Sequence, residues 1–270
     1  MLEYVTQGTM RLFQKLRLKA RLETRFYLRR WGILQPEPGT IDKRYIAALL
    51  PQDAVIIDAG SYDGADAVEL SRLMPKAIIY ALEPVPKLYK RLCCNTRRNP
   101  RIRVRNCALA ANDGKAPIHI SEGGSDASSS LLCPSNWYSE AQGLSFAASA
   151  EVMTRTLDTF VAEERLPKVD FLWLDLQGME LHVLKAAPKC LSMLVGIHLE
   201  VHLKESYEGV VPYPEVREWL ANCGFETVQE AIPPNWKEGN VLFVRKHSQK
   251  SRAQCGLSTD VGRFGGLTGA

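Results

Sequence analysis

Three carboxylates and two glycines carry the first chemical signal in the chain. In "VIIDAGSYDGAD", residues 55–66, an apolar run ends on Asp58, and Gly60 and Gly64 bracket Ser61, Tyr62 and Asp63. Neither glycine has a Cβ, so a turn built on them lets a ligand approach the backbone closely. Glu83 closes a second apolar run, "IIYALE", and Asp175 closes a third, "FLWLD". A carboxylate at the end of a buried strand is unfavourable unless something binds it. In open parallel sheets, ligands lie beyond those strand ends. Asp58, Glu83 and Asp175 therefore define a candidate site with a ligand as its expected user.

The loop narrows the choice of ligand. "GSYDG" matches neither G-x-G-x-x-G nor G-x-x-x-x-G-K-[ST], so no phosphate cradle is specified. Asp58 and Asp63 would repel a pyrophosphate and attract a cation. S-adenosylmethionine has that character, with a sulfonium, an ammonium and no phosphate. Glu83, 23 residues after Gly60, is placed to accept hydrogen bonds from both ribose hydroxyls. Dinucleotide enzymes share that feature, so a nicotinamide-dependent oxidoreductase stays as an alternative, as does a non-catalytic binding or scaffold protein.

Methyl transfer from such a donor needs a group that takes the acceptor's proton. Asp175, Glu180, His198, Glu200 and His202 are the candidates. In "IHLEVHL" the strand alternation puts His198, Glu200 and His202 on one face. They form a base with orienting partners, a metal site, or a buried strand whose polar groups bond to neighbours. Strand spacing alone does not choose, and no metal is assigned. Trp137 and Tyr138 either stack on a sugar or anchor their own loop.

These residues need a sheet to position them. Strand patterns at 54–59, 77–83, 101–110, 169–175 and 194–202 alternate with helical patterns, including 64–74, 86–98, 179–187 and 212–223. The alternation predicts an α/β fold, a Rossmann-like, mostly parallel sheet with helices on both faces. The runs at 225–232 and 240–246 have no helix between them, so the last strand is expected to be antiparallel. Thr40 is the expected cap of a short helix ending at Leu50. Residues 115–121 and 152–156 read as strands, and the Gly/Ser-rich stretch 122–150 between them reads as an irregular lid.

Residues 9–31 read as a basic amphipathic helix, and Pro36, Pro38 and Gly39 break it. The expected organisation is a helical extension and linker over 1–44, one domain over 45–246 and a disordered tail over 247–270. The net charge of +4 divides into +6 over residues 1–44, −6 over 45–244 and +4 over 245–270. An acidic body argues against a nucleic-acid partner. The basic helix packs on the domain or on a second subunit, meets anionic lipid as a peripheral membrane contact, or binds nucleic acid. Seven cysteines without C-x-x-C spacing suit reduced thiols and a cytoplasmic location.

The chain also resembles the FkbM-like S-adenosylmethionine-dependent methyltransferases. The resemblance runs from about Asp53 to Lys246, through "VIIDAGSYDGAD", "IYALEPVPKLYKRLCCN", "NCALAANDG", "SSSLLCP", "TRTLDTF", "DFLWLDLQGMELHVLKAA", "LEVHLKESYEG" and "GNVLFVRK" in order. It implies a seven-stranded Rossmann-like sheet, S-adenosylmethionine as donor, and commonly O-methylation of a hydroxyl on a glycan or related small molecule. It puts Asp58, Gly60 and Gly64 around the methionine moiety, Glu83 at the ribose, and Ala108 and Leu109 near the adenine. Tyr62, in the same loop, joins this set. The resemblance puts Asp175 at the reacting end, where Glu200 and His198 are its expected catalytic partners. Trp173 stands where the family often has Lys, and Gln177 where Glu is common.

Overall fold

A computed structural model describes residues 38–246. The amphipathic helix expected over 9–31 and the tail expected over 247–270 lie outside the described residues.

The sheet follows from short apolar runs buried on both faces. Strands β1 (Val55–Ala59), β2 (Ile78–Leu82), β3 (Ile102–Arg105), β7 (Phe171–Leu174) and β8 (Gly196–His202) pair in parallel, in the order β3-β2-β1-β7-β8. Strand β10 (Glu238–Arg245) then runs antiparallel between β8 and β9 (Phe225–Ala231), which completes seven strands. Parallel neighbours demand crossover helices, and these cover both faces. One face carries α1 (Lys43–Leu49), α2 (Ala65–Leu73) and α3 (Pro86–Thr96), packed on Ile56, Ile79 and Phe171. The other carries α5 (Leu157–Glu163), α6 (Glu180–Lys185), α7 (Pro188–Met193) and α8 (Tyr213–Asn222), packed on Ile57, Leu172 and Ile197. Each such fully buried aliphatic side chain contributes about 1.5–3 kcal/mol.

Local signals set the helix starts. Asp42, not Thr40, caps α1, with its side chain accepting from the Arg44 N–H. An aspartate carboxylate adjacent to the first turn answers both an orphan N–H and the helix dipole, which a threonine three residues out cannot. Ile41, which the sequence reading put in the extension, is buried against α1 and α2.

Residues 122–150 are more ordered than their composition suggests. Strand β5 (Gly114–Gly123) pairs with a 12-residue β6 (Leu144–Arg155), and a short β4 (Ala108–Leu109) completes a second, three-stranded sheet. Helix α4 (Asn136–Gln142) lies between them. The expected irregular lid is thus half strand and helix. The miss has a physical cause: most of β6 is exposed or half-exposed, so pairing rather than burial forms it, and no apolar alternation marks it. The chain expected to be one strand over 101–110 is divided between the two sheets at Asn106 and Cys107.

Candidate active site

A cleft lies over the carboxyl edge of β1 and β2, roofed by the small sheet. Ala59, Gly60, Tyr62, Glu83, Val85, Ala108, Leu109, Ile118, Leu131, Asp175 and Met179 are among its lining residues. Among the described residues, no lysine or arginine lines it, so none of them offers a diphosphate a counter-charge there.

Glu83 is the cleft's organised carboxylate. It follows β2 directly and is 4% exposed, and its two oxygens accept from the Tyr62 N–H at 3.0 Å and the Val85 N–H at 2.8 Å. A carboxylate offers about four acceptor positions, so these two bonds leave room for hydroxyl donors. Burial pushes Glu83 up to about 7, against the pull of the two N–H groups. Ala108 and Leu109 form the apolar wall opposite. Carboxylate and apolar wall together fit an adenosyl group carrying a positive sulfur.

The two glycines take different places: Gly60 lines the cleft and Gly64 does not. Both adopt positive φ, +81° at Gly60 and at Gly64. A Cβ on Gly60 would lie 1.8 Å from the Asp175 carbonyl oxygen, so this residue lets the segments just beyond the parallel strands β1 and β7 approach closely at the cleft floor. A Cβ on Gly64 would lie 2.5 Å from Leu92 Cδ1, and Gly64 does not line the cleft but begins α2 against α3. Asp58 also lies off the cleft. It is 1% exposed, and its Oδ2 has no hydrogen-bond partner. Burial and the Asp66 charge push it up to about 8.

The register explains why His198 is separated from the cleft. Asp58 pairs with Trp173 and Trp173 with His198, so the three form a row across one face of the sheet. His198 stacks on Trp173 at 3.7 Å between ring centroids, and Lys43 Nζ sits 5.0 Å above the Trp173 ring. His198 is 2% exposed, and burial with the nearby Lys43 charge lowers it to about 3. It is a neutral packing residue in this row.

Asp175 and Glu200 are brought together. Gln177 Nε2 donates to Asp175 Oδ1 at 2.7 Å and to Glu200 Oε2 at 2.5 Å, and the Tyr207 hydroxyl lies 2.7 Å from Gln177 Oε1. Burial raises Asp175. Glu200 is raised further, first by burial and then by Asp175, Glu238 and Glu180. Gln177 has φ +52°, a left-handed conformation that costs a non-glycine residue about 1–3 kcal/mol and persists where surroundings impose it. Here Ser130 Oγ donates to the Gln177 carbonyl at 2.8 Å.

Sequence reasoning missed Gln177, Tyr207 and Glu238 as members of this cluster. The signal available was "DLQG": a polar side chain directly beyond a strand-end acid and before a glycine. Trp137 and Tyr138 prove to be anchors. Trp137 Nε1 donates to the Glu205 carbonyl at 2.7 Å, and Tyr138 is 3% exposed against Tyr207.

A seven-stranded sheet of this order, with an acidic cleft over its carboxyl edge, is the architecture of a Rossmann-like methyltransferase. A model of the Methyltransferase FkbM domain matches residues 58–227. The chain belongs to the FkbM methyltransferase family, whose methyl donor is S-adenosylmethionine. It is 34% identical over 218 residues to the 2-O-methyltransferase NoeI of Sinorhizobium fredii (strain NBRC 101917 / NGR234), covering 78% of this chain and 88% of that one. It is 25% identical over 216 residues to Methyltransferase sdnD of Sordaria araneosa, covering 70% and 80%. Among solved structures, an rRNA methylase from Streptococcus thermophilus aligns over 79% of this chain and 99% of its own, at 13% identity and a TM-score of 0.47. Among the described residues, no helix is long and apolar enough to cross a membrane.

Proposed function

We propose that the protein O-methylates a hydroxyl of a sugar, glycan or related small molecule, with Asp175 as the proton acceptor. The carrying observation is that Asp175 lines the cleft while the Gln177 amide ties it to Glu200. The 2-O-methyltransferase relative supports oxygen as the target.

Bound S-adenosylmethionine supplies a methyl group already activated by a sulfonium. The protein has to hold donor and acceptor in line and remove a proton. Glu83 takes the ribose hydroxyls, Tyr62 and Gly60 flank the donor, and Ala108 and Leu109 cover the adenine. Asp175 orients the acceptor O–H and accepts its proton. Glu200 acts through Gln177 as a positioning residue: the shared amide fixes the Asp175 rotamer. His198, Asp58 and Gly64 support this edge from the packed side of the sheet.

The test is transfer of a labelled methyl group from S-adenosylmethionine to a panel of sugars and oligosaccharides, with amine-only and catechol acceptors beside them. A methyl ether on a sugar hydroxyl is expected. Label confined to amines or to catechols would overturn the reading.

A further inference from the structure

We propose that Glu180, Glu200 and His202 form a binding site for one divalent cation of the Mn²⁺ or Zn²⁺ type, beside Asp175. One ligand atom from each of these residues lies within 4.8 Å of the others. They come from two elements that meet at the sheet edge, Glu180 opening α6 and Glu200 with His202 closing β8.

The imidazole supplies the independent evidence. His202 is 1% exposed, and its Nε2 has no hydrogen-bond partner. Its Nδ1 lies 3.3 Å from Ser206 Oγ, whose own hydrogen is directed at the Lys204 carbonyl at 3.4 Å. With its own hydrogen so directed, the serine oxygen is free to accept from Nδ1–H, the tautomer that leaves Nε2 a free lone pair. That lone pair faces Glu200 Oε2 across 3.8 Å, too far for a hydrogen bond. Two buried polar atoms thus face each other without a hydrogen bond. Two ligands each about 2.1 Å from one ion stand roughly 3–4 Å apart, so a cation spans the gap.

The surroundings are those of a metal ligand set. The outer nitrogen of His202 is fixed by Ser206, as ligating histidines have theirs fixed. Glu180 is held by the Leu176 N–H at 2.7 Å and the Gly178 N–H at 3.1 Å, which lock its rotamer and leave acceptor positions free. Glu238 Oε2, also buried and unpartnered, lies 3.9 Å from His202 Nδ1. Among the described residues, the ion pairs of Glu200 and Glu238 involve only His202. Two carboxylates and one imidazole suit Mn²⁺ or Zn²⁺ better than Ca²⁺, which takes oxygen alone. The open coordination positions would hold and acidify an acceptor hydroxyl beside Asp175. That role rests on the methyltransferase reading; the binding itself does not.

The experiment titrates chelator-treated, dialysed full-length protein with Mn²⁺ alone, following free Mn²⁺ by electron paramagnetic resonance. One ion per chain is expected. Glu200→Gln and His202→Gln should each weaken binding at least about tenfold, while Glu151→Gln, an exposed partner of Lys115, binds as the wild type does. Should the two site variants not fold, the wild type decides: a spin-echo spectrum of bound Mn²⁺ must show coupling to a histidine nitrogen. Absence of binding, binding without that coupling, or unaltered binding in the folded site variants overturns the site. Methyl transfer is assayed separately. A protein that transfers methyl groups but holds no Mn²⁺ sinks the cation site alone, and one that holds Mn²⁺ but transfers nothing sinks the proposed activity alone.

Discussion

Glu83 and Glu200 are both carboxylates at the carboxyl edge of one sheet, yet backbone holds the first and side chains hold the second. Glu83 accepts two N–H groups from residues beside its own strand end, and its charge has fixed donors at any pH. Glu200 depends on the Gln177 amide, and its near neighbours Asp175, Glu180 and Glu238 are also acids. The first arrangement is a preformed receptor. The second is a set of coupled acids whose charge state changes with whatever approaches it.

Substitution at the two ends should therefore separate binding from chemistry. Asp175→Asn keeps the size of the side chain and removes the proton acceptor, so kcat should fall about 10²–10⁴-fold, while donor affinity measured by equilibrium dialysis stays within a few-fold. Glu83→Gln should do the reverse. Hydrogen bonds to a charged group are worth about 1.5–3 kcal/mol, or roughly 10–150-fold in donor Kd, with kcat at saturating donor changing less. If Asp175→Asn lost donor binding and Glu83→Gln kept it, the division between the two regions would be wrong.

Tyr207 offers a finer probe of the acid cluster. Its fully buried hydroxyl lies between Gln177 Oε1 and the Ser128 carbonyl, at 2.7 and 2.9 Å. Tyr207→Phe removes the single hydrogen the hydroxyl can give and leaves one of those acceptors short of a donor, which costs about 1–3 kcal/mol. The expected result is a melting temperature lower by several degrees. A fall in kcat and an unchanged donor Kd should accompany it, because Gln177 loses the contact that orients its amide. An altered donor Kd would mean that Tyr207 serves the cleft instead.

The same contrast governs what could be read from the residues. The sheet was legible because its strands are contiguous apolar runs, and Glu83 because it ends one of them. Asp175 was legible for the same reason. The tie to Glu200 was not: it passes through a side chain of left-handed Gln177, and Tyr207 and Glu238 arrive from distant segments. His198 and Glu200 share a strand face and are two residues apart, but that spacing separates the middle of β8 from its open end. The positive φ required at Gly60 and Gly64 was implied by residue type. What each approaches, the Asp175 carbonyl and Leu92, depends on tertiary packing.

The smallest expected effect is on the pH dependence of stability, where the two regions contribute over different windows. Glu83 is raised to about 7 and Glu180 to about 8, both chiefly by burial, from unfolded values near 4.5. A group raised in the folded state stabilises fully below its unfolded pKa, and that contribution is lost as pH rises through the folded value. Stability should thus decline from about pH 4.5 to 7 on account of Glu83, and on to about 8 on account of Glu180. Asp58, also raised to about 8, acts in the same direction. His202, lowered to about 4 by burial, acts oppositely, and its contribution is lost as pH falls from 6.5. Taken together, the three carboxyls outweigh the histidine, so the melting temperature of chelator-treated protein should fall by several degrees from pH 5 to 8.5, at about 2–4 °C per kcal/mol for a domain of this size. Saturating S-adenosylmethionine bonded to the Glu83 carboxylate should flatten the slope below pH 7 and leave the part above it. A melting temperature that rose steadily from pH 6 to 8.5 would show that these carboxylates are ionised and paired in the free protein, and the contrast between the two regions would fail.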